Sequence, residues 1–310
     1  MRVITESEVK EVIKYPVLIE ELRNAFKADI NVPARMHLDY ENPKEEVDST
    51  LLLMPSWEAS EELGIKILTV SPNNSKYNLP GISAVYLLFD AHKGGIKSVI
   101  EAKRLTSMRT AAASALASSY LSREDSKVML MIGTGALCEE LIRAHSTVRK
   151  LQKIYVWGRN KENALKIVDK LKDEFDIEAV NTIEEKIGDC DIISCATLST
   201  EPLIKGEFIK SGQHYDLVGS FKPNMREVDD QLISNVDIFI DSDMAKKETG
   251  DLKVPLENGI ISDSSIKADL FELTRKEKEG RTSKGQITLF KSVGHALEDF
   301  TIARLIDKEL

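Results

Sequence analysis

KVMLMIGTGALCEEL, residues 127–141, decides the fold. An apolar run ends at Gly133, and a segment that reads as helix begins within a few residues. Strand, glycine-bearing turn and helix in direct succession are the context in which a GxGxx(small) pattern reads as a phosphate-binding turn. Gly133 permits the tight turn, Gly135 lets the backbone approach a pyrophosphate, and the small Cys138 at the third glycine position lets helix and strand pack closely. The helix N-terminus adds unsatisfied N–H donors and the positive end of its dipole. Thr134, Ala136 and Leu137 complete the turn as candidate cofactor contacts. The bland alternative is a glycine-rich turn without a ligand; the segments that follow favour the dinucleotide.

Those segments alternate. Strands are expected at 153–158, 177–180, 191–196, 214–220 and 237–242, with helices at 136–150 and 160–174. Apolar strands alternating with helices imply a parallel, doubly wound sheet of Rossmann type. The second strand ends in Trp157-Gly158-Arg159-Asn160, where an NAD-selective site usually carries an acid for the ribose 2′-hydroxyl. Gly158 removes the carboxylate that would repel a 2′-phosphate, and Arg159 offers a fork-shaped cation to hold one. NADPH is therefore favoured, and NADH stays open, because Arg159 can equally stack on the adenine or face solvent. Asn160, Ala196, Thr197, Val218, Gly219 and Ser220, at the ends of these strands, are further candidate cofactor contacts.

Upstream the pattern changes. Residues 5–28 read as amphipathic helix with a Thr5–Glu8 capping box and a break at Pro16. Short apolar runs at 34–40, 50–54, 64–70, 82–89 and 98–102 read as an antiparallel-looking sheet, and 104–121 as an Ala-rich helix. One strand and one helix in 283–310 are placed back on this first lobe. The expected organisation is α/β: a discontinuous α+β domain (1–118 and 285–310), to which the family resemblance given below adds substrate binding and dimerisation, and a Rossmann domain (119–284). Lys66 lies inside an apolar strand and shares a face with Gly64 and Leu68, where a lysine needs a partner or water. A cation held there points to an anionic substrate group; an edge strand with Lys66 in solvent is the alternative. Arg35 in PARMHL and Arg109 in LTSMRTAA are the other candidate cations, with Thr110 beside Arg109 as a cofactor candidate; a purely structural arginine fits Arg109 equally well. His37, His92 and His295 read as a strand-face, a turn and a helix-start residue.

A net charge of -9 and a pI near 5.3 argue against a general nucleic-acid binder, because phosphate neutralisation needs a basic stripe. Three cysteines without a CxxC pair or a histidine at metal spacing give neither a disulfide framework nor a metal site, which fits a reducing cytoplasm. No stretch reaches membrane-spanning length, and the N-terminus lacks the apolar core of a leader.

With these residues in hand, the chain resembles the ornithine cyclodeaminase and mu-crystallin family through nearly its whole length. PARMHL, GIKILTV, LPGISAVYLLFD, LTSMRTAAASALA, GTGALCEE, VWGRNKENA, DLVGSFKPNMREVDD, KKETGDL and ITLFKSVGHALED carry the resemblance, in order. It implies a homodimer in which Arg35, Lys66 and Arg109 hold the substrate carboxylate. Cyclodeaminases resemble VGGDCPGKTE where this chain reads VGSFKPNMRE, so Phe221 stands in place of the aspartate that works on the substrate amine. PGIS (80–83) resembles the PAIS-type segment of pyrroline-2-carboxylate reductases, and Ser83 joins the substrate candidates. The resemblance thus implies NAD(P)H-dependent reduction of a cyclic ketimine, Δ1-pyrroline-2-carboxylate or Δ1-piperideine-2-carboxylate, to L-proline or L-pipecolate. Lys66, an ordered water or Ser83 would be the proton source. Cyclodeaminase or alanine-dehydrogenase activity, or a mu-crystallin-like NADPH-dependent ligand carrier, are the rival implications.

Overall fold

The computed structural model describes every residue except Glu46. In chain order the elements begin β1 (Arg2–Ile4), α1 (Glu6–Val12), α2 (Tyr15–Ala25), β2 (Met36–Tyr40), β3 (Ser49–Glu58), β4 (Glu62–Val70), β5 (Ile82–Asp90), β6 (Ile96–Glu101) and α3 (Ala102–Leu121). They continue β7 (Val128–Ile132), α4 (Cys138–Val148), β8 (Lys153–Trp157), α5 (Lys161–Leu171), β9 (Ile177–Ala179), β10 (Ile192–Cys195), β11 (His214–Leu217) and α6 (Asp230–Ile233). The chain ends with β12 (Asp237–Ile240), α7 (Ala245–Glu248), α8 (Gly250–Glu257), β13 (Ile266–Asp269), α9 (Leu270–Arg275), β14 (Thr288–Lys291) and α10 (Ala296–Glu309). No helix among the described residues is long and apolar enough to cross a membrane.

Two compact units form: Met1–Arg109 with His295–Leu310, and Thr110–Gly294. In the first, the Thr5–Glu8 capping box starts α1, and the break expected at Pro16 divides the segment into two helices, Pro16 lying in the first turn of α2. The sheet runs β1-β6-β5-β4-β3-β2 and is antiparallel except for β1, which pairs parallel to β6. β1 is only three residues long, too short for an alternating pattern to announce it. Period-two alternation sorts the sheet into two faces. Met54, Lys66, Tyr86 and Ile100 lie side by side on the face that α10 covers. Leu53, Ile65, Ile67 and Leu87 line the other face, which stays half-buried.

In the second unit all eight strands are parallel, in the order β13-β12-β14-β11-β10-β7-β8-β9. The strand expected to return to the first lobe therefore needs correcting: β14 lies between β11 and β12. Its four residues are all buried, as a strand covered on both faces requires. Accordingly the second unit closes at Gly294, not near 284. It also takes the distal half of α3, whose last carbonyls are capped by Arg149: Nη2 donates to the carbonyls of Ser118 and Ser122, both at 3.0 Å. β13, an edge strand, had no expected counterpart. From β7 the chain runs outward to β8 and β9, then crosses to β10 and β11 on the other side. The order thus reverses at β7/β10, and the crevice outside the carboxyl ends of such strands is where doubly wound sheets take ligands.

Gly64 shows how tightly the covered face of the first sheet is packed. A Cβ there would lie 2.0 Å from the Tyr86 hydroxyl and 2.7 Å from its ring, and Tyr86 is fully buried. Gly64→Ala is expected to cost about 1–3 kcal/mol through overpacking. A drop of several degrees in the thermal midpoint of the purified variant checks it, and an unchanged midpoint contradicts it.

Candidate active site

The Gly133 turn sits at the carboxyl end of β7. Gly133 has φ +107°, and a Cβ on it would come within 2.5 Å of the Ala196 carbonyl oxygen, so no other residue fits without distortion. At Gly135 a Cβ would meet nothing within 4 Å, which leaves an open approach to the backbone. Gly158, at the end of β8, lies where a Cβ would strike Thr134 Cγ2 at 2.6 Å. Cys138 opens α4, and burial pushes its thiol up to about 12, so it serves close packing and not nucleophilic chemistry. Open backbone at Gly135, the start of an eleven-residue helix and the switch-point location together fit a dinucleotide pyrophosphate. Thr134, Ala136 and Leu137 line the turn; Arg159 is exposed just beyond Gly158. Asn160 has a second duty as the α5 N-cap, accepting the Glu162 N–H at 2.9 Å.

Ala196 and Thr197 follow β10, and Val218, Gly219 and Ser220 follow β11, so the strand-end candidates do converge on one edge of the sheet. Sequence reasoning missed what fixes them. Glu227 Oε1 accepts the Thr197 N–H at 2.9 Å, and Oε2 accepts those of Gly219 and Ser220 at 3.0 and 3.1 Å. Lys291, the last residue of β14, lies 3.5 Å from Glu227 and 3.1 Å from Asp251, all three side chains fully buried. Burial opposes the Lys291 charge, but Asp251 and Glu227 hold its pKa above the ordinary lysine value.

In the first unit, β4, α3 and α10 build a second cluster. Lys66 is 2% exposed and donates to Asp299 Oδ2 at 2.6 Å. Arg109 donates from Nε to Asp299 Oδ1 at 2.9 Å and from Nη1 to Glu298 Oε2 at 2.7 Å. Burial lowers the Lys66 pKa to about 8; Asp299 opposes that fall, while Arg109 and Arg35 add to it. Asp299 is driven upward by burial but held below the usual carboxylate range by Arg109 and Lys66. The expectation that Lys66 sits in an apolar strand and needs a partner thus meets a carboxylate of the protein itself. Arg35 is half-buried and near enough for its charge to act on Lys66. Ser83 is exposed at the start of β5, paired across the sheet with Thr69. Thr110 is buried on α3. His37 and His92 are exposed, and His295 takes the N-cap position of α10.

The two carboxylates also escaped sequence reasoning, although a signal existed. Glu298 and Asp299 interrupt an apolar helix between Leu297 and Phe300, and buried acids demand cationic partners as strictly as Lys66 demands an anionic one.

The sequence profile described as the ornithine cyclodeaminase/mu-crystallin family matches residues 1–310. The chain belongs to that family. It is a family of NAD(P)-dependent enzymes, which the open backbone of the glycine turn fits. Protein SAR DEFICIENT 4 of Arabidopsis thaliana is 39% identical, over 95% of this chain and 93% of that protein. A Delta(1)-pyrroline-2-carboxylate reductase of Paracoccus denitrificans is 34% identical, over 83% and 82%. The solved Delta(1)-pyrroline-2-carboxylate reductase of Thermococcus litoralis, in complex with NADH and L-proline, superposes with a TM-score of 0.93 at 33% identity, covering 100% of this chain and 97% of that one. An archaeal alanine dehydrogenase dimer with bound NAD gives 0.90 at 25% identity, covering 100% and 95%.

Removing one member of a buried ion pair strands its partner, which costs about 3–5 kcal/mol. Asp299→Asn is therefore expected to destabilise the protein by that order. Adding Lys66→Met should return part of the loss, since the stranded ammonium is then gone. Unfolding midpoints of wild type, both single variants and the double variant check the coupling, and simple additivity contradicts it.

Proposed function

We propose that this member of the family reduces a cyclic ketimine, Δ1-pyrroline-2-carboxylate or Δ1-piperideine-2-carboxylate, to L-proline or L-pipecolate, with NADPH preferred and NADH usable. The observation that carries the reading is the buried Lys66–Asp299–Arg109 cluster, two cations fixed in one place as recognition of a small carboxylate needs. An ammonium has three N–H donors and a guanidinium five. The bonds to Asp299 and Glu298 engage one from Lys66 and two from Arg109. We assign remaining donors, with Arg35, to the substrate carboxylate. Lys and Arg held by α10 lose little freedom on binding, so the ring is oriented at small entropic cost.

The nicotinamide, when bound, supplies the hydride that C2 accepts. One proton must reach the ring nitrogen to complete the change from C=N to CH–NH. Lys66 Nζ, titrating near 8, is the side-chain atom we assign to that transfer. Phe221, half-buried in the loop after β11, supports imine reduction over cyclodeamination, since a phenyl ring cannot take a proton from an amine. Arg159, exposed beside Gly158, supports the preference for a 2′-phosphate.

We further propose a homodimer built on the half-buried sheet face of Leu53, Ile65, Ile67 and Leu87, which lies opposite the face covered by α10. A contiguous apolar surface of this kind on a free monomer would be an association hazard. The archaeal alanine dehydrogenase in the comparison is a dimer.

Steady-state NADPH oxidation against a panel of cyclic imines and 2-oxo acids tests the reaction. Turnover with the five- or six-membered imine is expected. Lys66→Met should raise KM for the imine about tenfold or more, the effect of a lost charged hydrogen bond. In wild type that KM should climb as pH passes about 8, where the ammonium is lost, and Lys66→Arg should remove the rise. Arg159→Ala should narrow the NADPH-over-NADH ratio; an unchanged ratio removes the phosphate argument. For the assembly, Ile65→Glu is expected to yield monomer by sedimentation. A wild-type protein that sediments as monomer contradicts the dimer.

A further inference from the structure

The loops after β10 and β11 are separate in sequence, yet one carboxylate holds both. Glu227 Oε1 takes the Thr197 N–H and, at 3.0 Å, the Thr197 hydroxyl; Oε2 takes the N–H groups of Gly219 and Ser220. Four donors on two oxygens fit an ionised carboxylate, although burial pushes its pKa up and Lys291 opposes that push. The clamp is itself clamped. Asp251 Oδ1 accepts the backbone N–H of Glu227 at 2.7 Å and of Val228 at 3.2 Å, and Lys291 sits against both acids. Thr249, which caps α8, meets the Ser220 hydroxyl at 2.5 Å. No room is left for slack, because a Cβ on Gly219 would lie 2.1 Å from the Thr197 nitrogen and 2.5 Å from Glu227 Oε1.

The place of this clamp in the sheet gives it a function. Gly158 and Arg159, at the end of β8, mark the side where the second strand of a dinucleotide fold meets the adenosine ribose. A dinucleotide anchored by its pyrophosphate at the Gly133 turn must extend its other half across the switch point, over the ends of β10 and β11. We infer that Glu227, locked by Lys291 and Asp251, is a positioning residue that shapes the nicotinamide half of the cofactor site by fixing the Thr197 and Gly219–Ser220 backbones together. It touches no reacting atom; it acts through the two loops. The inference rests on the dinucleotide reading of the Gly133 turn and is independent of which imine is reduced.

Glu227→Gln keeps the shape but turns an amide N–H toward backbone donors on one of the two loops. NADH and NADPH carry the nicotinamide, whereas ADP-ribose and its 2′-phosphate carry only the remainder. Affinities for these ligands, measured by calorimetry on wild type and variant, separate positioning from general damage. The expected result is nicotinamide cofactor binding weakened about tenfold or more, as for a lost hydrogen bond to a charged group, with ADP-ribose binding within about twofold of wild type. Equal weakening of both ligands, or no change in either, overturns the inference. Failure of wild type to bind any of them overturns the dinucleotide reading and the inference with it. Glu227→Asp, which keeps the charge against Lys291 but withdraws it by one methylene, provides the same comparison if the amide variant does not fold. It is expected to show the same selective loss, and wild-type affinity for NADH in that variant contradicts the two-loop clamp.

Discussion

An ammonium removed from water into the covered face of a β-sheet is tolerable only beside a carboxylate, and the 2.6 Å contact between Lys66 and Asp299 is the constraint on which the first unit turns. It ties β4 to α10 across 233 positions of sequence, and Arg109 on α3 joins through the other oxygen of the same carboxylate. Three elements are thereby fixed relative to one another around a charge cluster that an apolar core would not need. Such pairs contribute little net stability, because desolvation offsets most of the attraction. Their value lies in placement: cations with spare donors are held where a flexible surface lysine could not be held.

The second unit repeats the device with the charges reversed. There a carboxylate, Glu227, does the holding, and Lys291 supplies the compensating charge. The Gly133 turn and the Glu227 clamp then divide one task. The turn leaves open backbone for a phosphate, and the clamp aligns the strand ends beyond it. Each rests on close packing that a side chain would destroy, at Gly133 against Ala196 and at Gly219 against Thr197.

What was legible in the sequence was what depends on near neighbours in the chain. The strand-turn-helix at 127–141 announces itself because its signals are contiguous, and the alternation from β7 to β12 follows from local periodicity. β14 does not, because an apolar TLFK run fits any buried strand and nothing local says which sheet receives it. The same limit explains the site. Lys66 stands out from its own strand, and Glu298 and Asp299 from their apolar helix, but nothing local says that these buried charges meet, since the pairing spans 233 positions. Lys291 carries the same cue, a lysine ending a buried strand. The resemblance to the family placed Arg35, Lys66 and Arg109 in one role. It said nothing of Glu298 and Asp299, which hold two of them.

In the proposed reaction bound NAD(P)H is consumed as a hydride donor to C2 of a cyclic imine. Reduction of Δ1-pyrroline-2-carboxylate and Δ1-piperideine-2-carboxylate with NADPH deuterated at the transferable C4 position, followed by mass spectrometry of the amino acid, tests it directly. One deuterium at C2 of proline or pipecolate is expected for each NADPH oxidised. Ammonia and proline formed from ornithine with no net change in the cofactor, or NADPH bound but left unoxidised by both imines, would contradict it.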